Sequence, residues 1–289
     1  MPWNGMFVLS LCLVLFVPLH AQDKVPETLN PKFIFHPDNV VQNTEDYAEI
    51  YSVMGKYYQG VEMAQPDLLD EVFHETWFMR DTDTPNTATL NIENKSKFIK
   101  RVQDHGPYPG YASDRVFATV GLANGNLAFV RVNKAPSRSA TSFVLFKLNG
   151  KWTLMDKVWA DVREGSQTVH RSLAYTATES LLHSYFEALS TYNVEKVSGM
   201  LHIGWDKKYL NPKGQLKTIS KTEFLKTIPG QQHQIDFNQL FAIELYHDNL
   251  AVARVDFPST NSTSFFTLFK INGVWKITSE RSSSGHFLD

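Results

Sequence analysis

The sequence predicts an α+β protein of two tandem domains, each with amphipathic helices leading into a curved antiparallel sheet. Three observations carry that reading. Leu145–Trp152, L-F-K-L-N-G-K-W, returns as L-F-K-I-N-G-V-W at Leu268–Trp275, an offset of 268 − 145 = 123 residues. In each half the helical patterns come first and the strand patterns follow, the order of an α+β fold with helices on one sheet face. The 289 residues also suit two domains of roughly 150 residues each.

The chain opens on a targeting pattern. Met6 to Leu19 is almost wholly apolar, and Leu19-His20-Ala21 offers a small residue for cleavage. Residues 1–21 therefore read as a signal peptide, although Met1 to Gly5 carries no Lys or Arg. The apolar run is shorter than the ~20 residues that span a bilayer, so a secreted or periplasmic protein is expected. Cys12, the single cysteine, lies inside that run. Cleavage would leave a chain with neither disulfides nor thiolate chemistry. Residues 22–43 are polar and hold Pro26, Pro31 and Pro37, the composition of an extended arm.

The first domain is expected over residues 44–160. Thr44 reads as an N-cap followed by Glu45 and Asp46 at the positive end of a helix dipole. Tyr47, Ile50, Tyr51, Met54, Tyr57, Tyr58 and Val61 then keep helical spacing. Pro66 and Asp67 start a second short helix ending near His74, and a polar loop, Asp81 to Asn86, follows. Lys97 to Val102 predicts a third helix stopped by Gly106-Pro107. Four strands are expected next, near 113–123, 126–134, 141–148 and 152–159. Asn149-Gly150 supplies the positive φ angles of a type I′ hairpin turn.

After a linker, 161–175, the second domain (176–289) repeats the order. Thr176 and Glu179 have capping-box spacing, as do Ser220 and Glu223. Tyr185-Phe186 matches Tyr57-Tyr58 at 185 − 57 = 128, and Leu201-His202 with Trp205 matches Phe73-His74 with Trp77 at the same offset. The offset then shrinks to 123, which places the deletions in loops.

Each half resembles the nuclear-transport-factor-2-like superfamily of cone-shaped, cystatin-like α+β domains, and within it the lumazine-binding group of bacterial proteins. The residues that carry this are the Tyr57-Tyr58-Gln59-Gly60 helix, the Phe73-His74 pair after a helix led by Asp67, and the hairpin around Asn149-Gly150-Lys151-Trp152. The resemblance implies two tandem cones, each with a pocket between sheet and helices. It places Tyr57, Tyr58, Phe73, Trp77, Phe129, Trp152 and Trp159 near the first pocket, where the same rings could equally be core.

Among polar residues, His74 and His202 stand at matched positions. Either could act as a general base or acid, or bond free carbonyls at a helix C-terminus. A catalytic pair would need a carboxylate, and Asp156 is the nearest by fold logic; its counterpart is Ser279. Superfamily dehydratases use a His-Asp pair and steroid isomerases use Tyr with carboxylic acids, but neither pattern maps here residue by residue. Arg131 and Arg254, also matched, could clamp a carboxylate ligand or pair with a neighbouring acid. Trp205 completes the set of expected pocket residues.

Exclusions narrow the field. A formal net charge of −2 with scattered Lys and Arg predicts no nucleic-acid groove. The ten histidines form no H-E-x-x-H spacing, so no metal is expected. There is no G-x-S-x-G elbow and no phosphate-binding glycine loop, and no cofactor is expected. The leading expectation is non-catalytic binding of a small aromatic or apolar ligand, with the domains pairing within the chain as a pseudo-dimer. An isomerase- or dehydratase-like enzyme using His74 with Asp156, and an interaction module with filled cones, are the alternatives.

Overall fold

Helix α1 (Thr44–Glu62) opens the described part of the computed structural model, which covers residues 44–82, 89–112, 115–134, 139–161, 171–230, 239–247 and 249–284. These residues fall within one compact unit, Pro31–Asp289. The expected signal peptide and extended arm lie outside the described residues, as does most of the Asp81 to Asn86 loop.

Helix α2 (Pro66–Val72) starts on a proline, whose fixed φ suits a first turn. Strands β1 (Phe73–Asp81) and β2 (Asn91–Asn94) precede helix α3 (Lys95–His105), capped by the Asn94 side chain and ended by Gly106 at φ 74°. Then come β3 (Arg115–Ala123), β4 (Leu127–Lys134), β5 (Ser139–Leu148) and β6 (Lys151–Asp161). The second half runs α4 (Arg171–Ser190), α5 (Val194–Met200), β7 (Leu201–Leu210), β8 (Leu216–Ser220) and α6 (Lys221–Thr227). It closes with β9 (Leu240–His247), β10 (Leu250–Phe257), β11 (Ser262–Ile271) and β12 (Val274–Ser282). The sheet orders, β2-β1-β6-β5-β4-β3 and β8-β7-β12-β11-β10-β9, are the same.

Local chemistry sets the turns as expected. Asn149 and Gly150 have φ of 50° and 79°, and Asn272 and Gly273 have 51° and 77°, the sign a type I′ turn needs. Ser220 and Glu223 form a reciprocal capping box. Thr176 and Glu179 do not cap: α4 begins at Arg171, so both sit inside it.

Two further corrections concern the sheets. Each has six strands and is mixed, because β1 runs parallel to β6 and β7 parallel to β12. The four-strand, all-antiparallel expectation missed β1 and β2, since β1 carries His74, Glu75, Thr76, Arg80 and Asp81 and shows little apolar alternation. His74 is thus a strand residue and not the end of a helix.

Each sheet uses both faces. Val130, Phe143, Leu145 and Leu154 join α1–α3 in one core; Leu182, Tyr185, Phe224, Phe266 and Leu268 form its counterpart in the second half. The opposite faces meet each other. Phe129, Val144, Phe146 and Met155 of the first sheet share a third core with Val252, Phe265 and Phe269 of the second. Phe129 and Phe265 stack with centroids 5.3 Å apart.

At one end of that shared face lies a buried ionic cluster. Arg80 donates to Asp156 at 2.7 Å and to Asp206; Arg281 donates to Asp156 at 2.7 Å and to Asp206 at 2.9 Å. Lys208 donates to the carbonyl oxygen of Thr76 and lies 3.8 Å from Asp156. Three cations thus face two carboxylates, all nine-tenths or more buried. Asn124 Nδ2 donates to the carbonyl oxygen of Asn261 at 2.7 Å, and Asn249 Nδ2 to Thr82 Oγ1 at 2.9 Å, adding links between the halves.

The burial of Lys208 leaves a titration signature. Burial is the main cause that lowers Lys208 from its ordinary 10.5 to about 8, with Arg281 and Arg80 adding and Asp156 and Asp206 opposing. Between about pH 8 and pH 10 the unfolded chain then binds more protons than the folded one, so stability rises with pH. Urea midpoints across that window should rise for the parent chain and stay flat for Lys208→Met. Asp156→Asn should cost about 3–5 kcal/mol in the same assay, because it strips a shared counter-charge from buried cations.

Candidate functional site at the mouth of the first domain

The segment after α3 builds the site. Gly106 turns the chain, and Tyr108 N donates to the Glu62 carbonyl oxygen at 2.8 Å. The Glu62 carboxylate then accepts from Gly110 N at 2.8 Å and Ala112 N at 3.3 Å. This straps the segment to the end of α1 and leaves a recess of ≈ 200 Å³ between α1 and α3. Val61, Arg101, Val102, His105, Tyr108 and Tyr111 line it, with Gly106.

The walls are aromatic and ordered by ring contacts. His105 meets Tyr108 edge-on at 5.5 Å, Tyr108 meets Tyr111 at 5.6 Å, and Tyr111 meets Tyr58 at 5.9 Å. Arg101 is held bidentately by Glu93 at 2.9 and 2.7 Å. That pairing is the main cause that raises the Arg101 pKa.

Of the residues expected at a pocket, Tyr57 and Tyr58 come nearest. Tyr57 Oη lies 3.4 Å from Tyr111 Oη, directly behind the recess wall. Phe73 and Trp77 stack on each other at 4.3 Å within the core. The remaining expected residues are corrected by their surroundings. Phe129 faces the other sheet. Trp152 Nε1 donates to Asp46 at the start of α1, and Trp159 Nε1 to Asp81. Arg131 reaches Glu244 of the second half at 3.4 Å, and Arg254 holds Asp256 at 2.9 Å. Trp205 packs on Phe224 in the second core.

The His74–Asp156 pair does not form. His74 Nδ1 accepts from Thr76 N at 3.1 Å, and His202 Nδ1 accepts from Gly204 N at 3.0 Å. Asp156 is engaged by two arginines on the far face. The cause is a register shift in the β5–β6 pairing between Val144 and Leu145. Strict alternation from Trp152 and Leu154 would put Asp156 on the helix-covered face. The extra residue flips it to the inter-sheet face. Lys157 takes the inward place instead, with Nζ 5.7 Å from the Tyr57 centroid and 5.4 Å from that of Phe98.

The second half differs at matched positions. Glu280 stands where the first has Lys157 and pairs with Lys207 at 2.8 Å, both side chains essentially inaccessible. Tyr185 Oη donates to Glu280 at 3.5 Å; burial and then Glu280 hold its pKa well above the ordinary tyrosine value. Among the described residues no group of three or more His, Cys, Asp or Glu is placed to hold a metal, and no helix is long and apolar enough to cross a membrane.

The sequence reading missed Arg101, His105, Tyr108 and Tyr111. One signal was present: Arg101 and His105 stand four apart on α3, hence on one face. What placed the tyrosines opposite them was Glu62, distant in sequence.

A family model described as "Putative lumazine-binding" matches residues 45–160 and again 174–281. Among solved structures, a nuclear-transport-factor-2-like protein of unknown function from Shewanella baltica is 20% identical. It covers 43% of this chain and 99% of that one, with a TM-score of 0.37. A similar protein from Silicibacter pomeroyi is 16% identical over 43% of this chain and 100% of that one, TM-score 0.36. A domain with a cystatin-like fold from Nostoc punctiforme is 11% identical over 52% and 98%, TM-score 0.34. No curated protein matches.

The two matched histidines make a test of role. His74 is lowered from its ordinary 6.5 by burial first and Lys208 second; His202 by burial first and Arg80 second. Their contribution is complete above pH 6.5 and is lost as pH falls through the lowered values, because the unfolded chain protonates first. Asn can accept the same backbone N–H. The His74→Asn/His202→Asn double variant should therefore lose less stability than the parent between about pH 7 and pH 5, as read by urea unfolding.

Proposed function

The chain belongs to the family described as putative lumazine-binding, and on that premise we propose that it binds a small planar heterocycle, without chemistry, in the recess of the first domain. The observation that carries the reading is the recess itself: ≈ 200 Å³, walled by Tyr108, Tyr111 and the His105 ring, with Val61 and Val102 beneath. That is below the ~300–1,000 Å³ of drug-sized pockets, so the occupant has one or two fused rings. Aromatic walls favour stacking, and ring pairs add about 0.5–1.5 kcal/mol beyond burial.

The alternative that paired His74 with Asp156 loses its support, since the two are engaged elsewhere and on different faces. In this proposal the second domain acts as a partner. Its interior holds the buried Lys207–Glu280 pair, and its outer face covers that of the first, so the two form a pseudo-dimer within one chain. The apolar run before Ala21 supports export, which completes the proposal: a secreted or periplasmic binding protein.

Titration of the full chain with lumazine, followed by tyrosine and tryptophan fluorescence, tests this. A dissociation constant in the micromolar range is expected, weakened about tenfold or more by Tyr111→Ala and unchanged by His74→Gln. Saturable binding that is indifferent to Tyr111→Ala would move the site elsewhere; no binding of lumazine or of any bicyclic heterocycle would end the reading.

A further inference from the structure

Both halves carry a lysine at one matched position, Lys95 and Lys221 (95 + 126 = 221), but with opposite surroundings. Lys95 Nζ donates to the carbonyl oxygens of Asp70 and Phe73 at 3.3 and 3.2 Å, and pairs with the Asp70 and Glu75 carboxylates at 2.7 and 2.9 Å. Lys221 Nζ makes the matching backbone bonds, to the carbonyl oxygens of Ser198 and Leu201 at 2.7 and 2.8 Å. Both carboxylates are gone: Ser198 stands for Asp70 (70 + 128 = 198) and Ile203 for Glu75 (75 + 128 = 203). A second cation is present instead. Lys276, where the first half has Thr153 (153 + 123 = 276), donates to the carbonyl oxygen of Gly199. We propose that Lys221 and Lys276 form an anion site beside the end of α5, and that the group it takes is a phosphate.

The backbone fixes the two ammoniums close together, on carbonyls of residues 198, 199 and 201. Among the described residues neither of them forms an ion pair with a carboxylate. Each ammonium has three N–H donors. Lys221 uses two on the backbone and Lys276 one, so three remain for a ligand. The first half shows what answers such donors, namely two carboxylate oxygens within 2.9 Å of one ammonium. A lysine acts as a point charge without the planar fork of arginine. A compact anion with oxygens on several sides suits two such charges better than a flat carboxylate.

The local field agrees with this geometry. His202, next to Leu201, is lowered by burial first and then by Arg80, Lys221 and Lys276, with no acid opposing them. Lys221 is lowered by burial and then by Lys276. Its counterpart Lys95 is raised, because Asp70 and Glu75 outweigh burial. Two ammoniums that repel each other gain from an anion placed between them. Ile203, next to His202, is 84% exposed, an apolar neighbour for the body of a phosphate ester.

Proton NMR of the histidine rings in the full chain tests the site as inorganic phosphate replaces chloride at constant ionic strength, with His74→Gln and His202→Gln assigning the signals. A bound anion favours the imidazolium, so the His202 pKa should rise by roughly half a pH unit or more. The rise should saturate with a dissociation constant on the order of 1–10 mM, while His74, beside Glu75, stays in place. Lys276→Thr, the residue of the first half, should weaken binding about tenfold. Ser198→Asp/Ile203→Glu should raise His202 in chloride alone and erase its response to phosphate. Vesicles of phosphatidic acid in phosphatidylcholine separate the sources of the group. Co-sedimentation abolished by Lys276→Thr assigns a lipid headgroup, and phosphate binding without co-sedimentation assigns a soluble ester. A His202 signal indifferent to phosphate, an equal shift at His74, or an undiminished response in Lys276→Thr overturns the site.

Discussion

A six-stranded sheet with apolar residues on both faces must have both removed from water, and each half of this chain has helices for only one. The outer faces therefore cover each other, with Phe129 on Phe265 inside a shared core. Apolar burial of that kind is non-directional and would tolerate many relative orientations. The ionic cluster is directional. Arg80 reaches from the first half to Asp206 of the second, while Arg281 reaches from the second to Asp156 of the first. Only one alignment satisfies both forks at once, and the desolvation of five charges makes other alignments costly.

That arrangement sets three cations against two carboxylates, and burial first, with Arg281 and Arg80 adding, depresses the Lys208 pKa. Across the inter-sheet face Arg80 and Arg281 are engaged by Asp156 and Asp206. The site proposed for binding is the recess between α1 and α3, where Glu62 fastens the segment after α3. The second half differs in a shorter α6 and an internal Lys207–Glu280 pair.

Local patterns carried the duplication, the Asn-Gly hairpins and the Ser220 capping box. Each depends on contacts within a few residues, where φ preference and side-chain periodicity act directly. Tyr57 and Tyr58, expected at a pocket, stand behind the recess wall through their contacts with Tyr111. Tertiary structure decided the rest. One bulge in β6 reversed the faces of Asp156 and Lys157, which dissolved the expected His74–Asp156 pair and left a lysine inside the first core. Strand β1 escaped notice because its charges are buried by partners more than 70 residues away, as for Arg80 with Asp156 at a separation of 76. The recess exists through Glu62 and Gly110, 48 residues apart. A local pattern records which side of an element is apolar; it does not record an inserted residue's effect on register, nor which distant charge will meet it after folding.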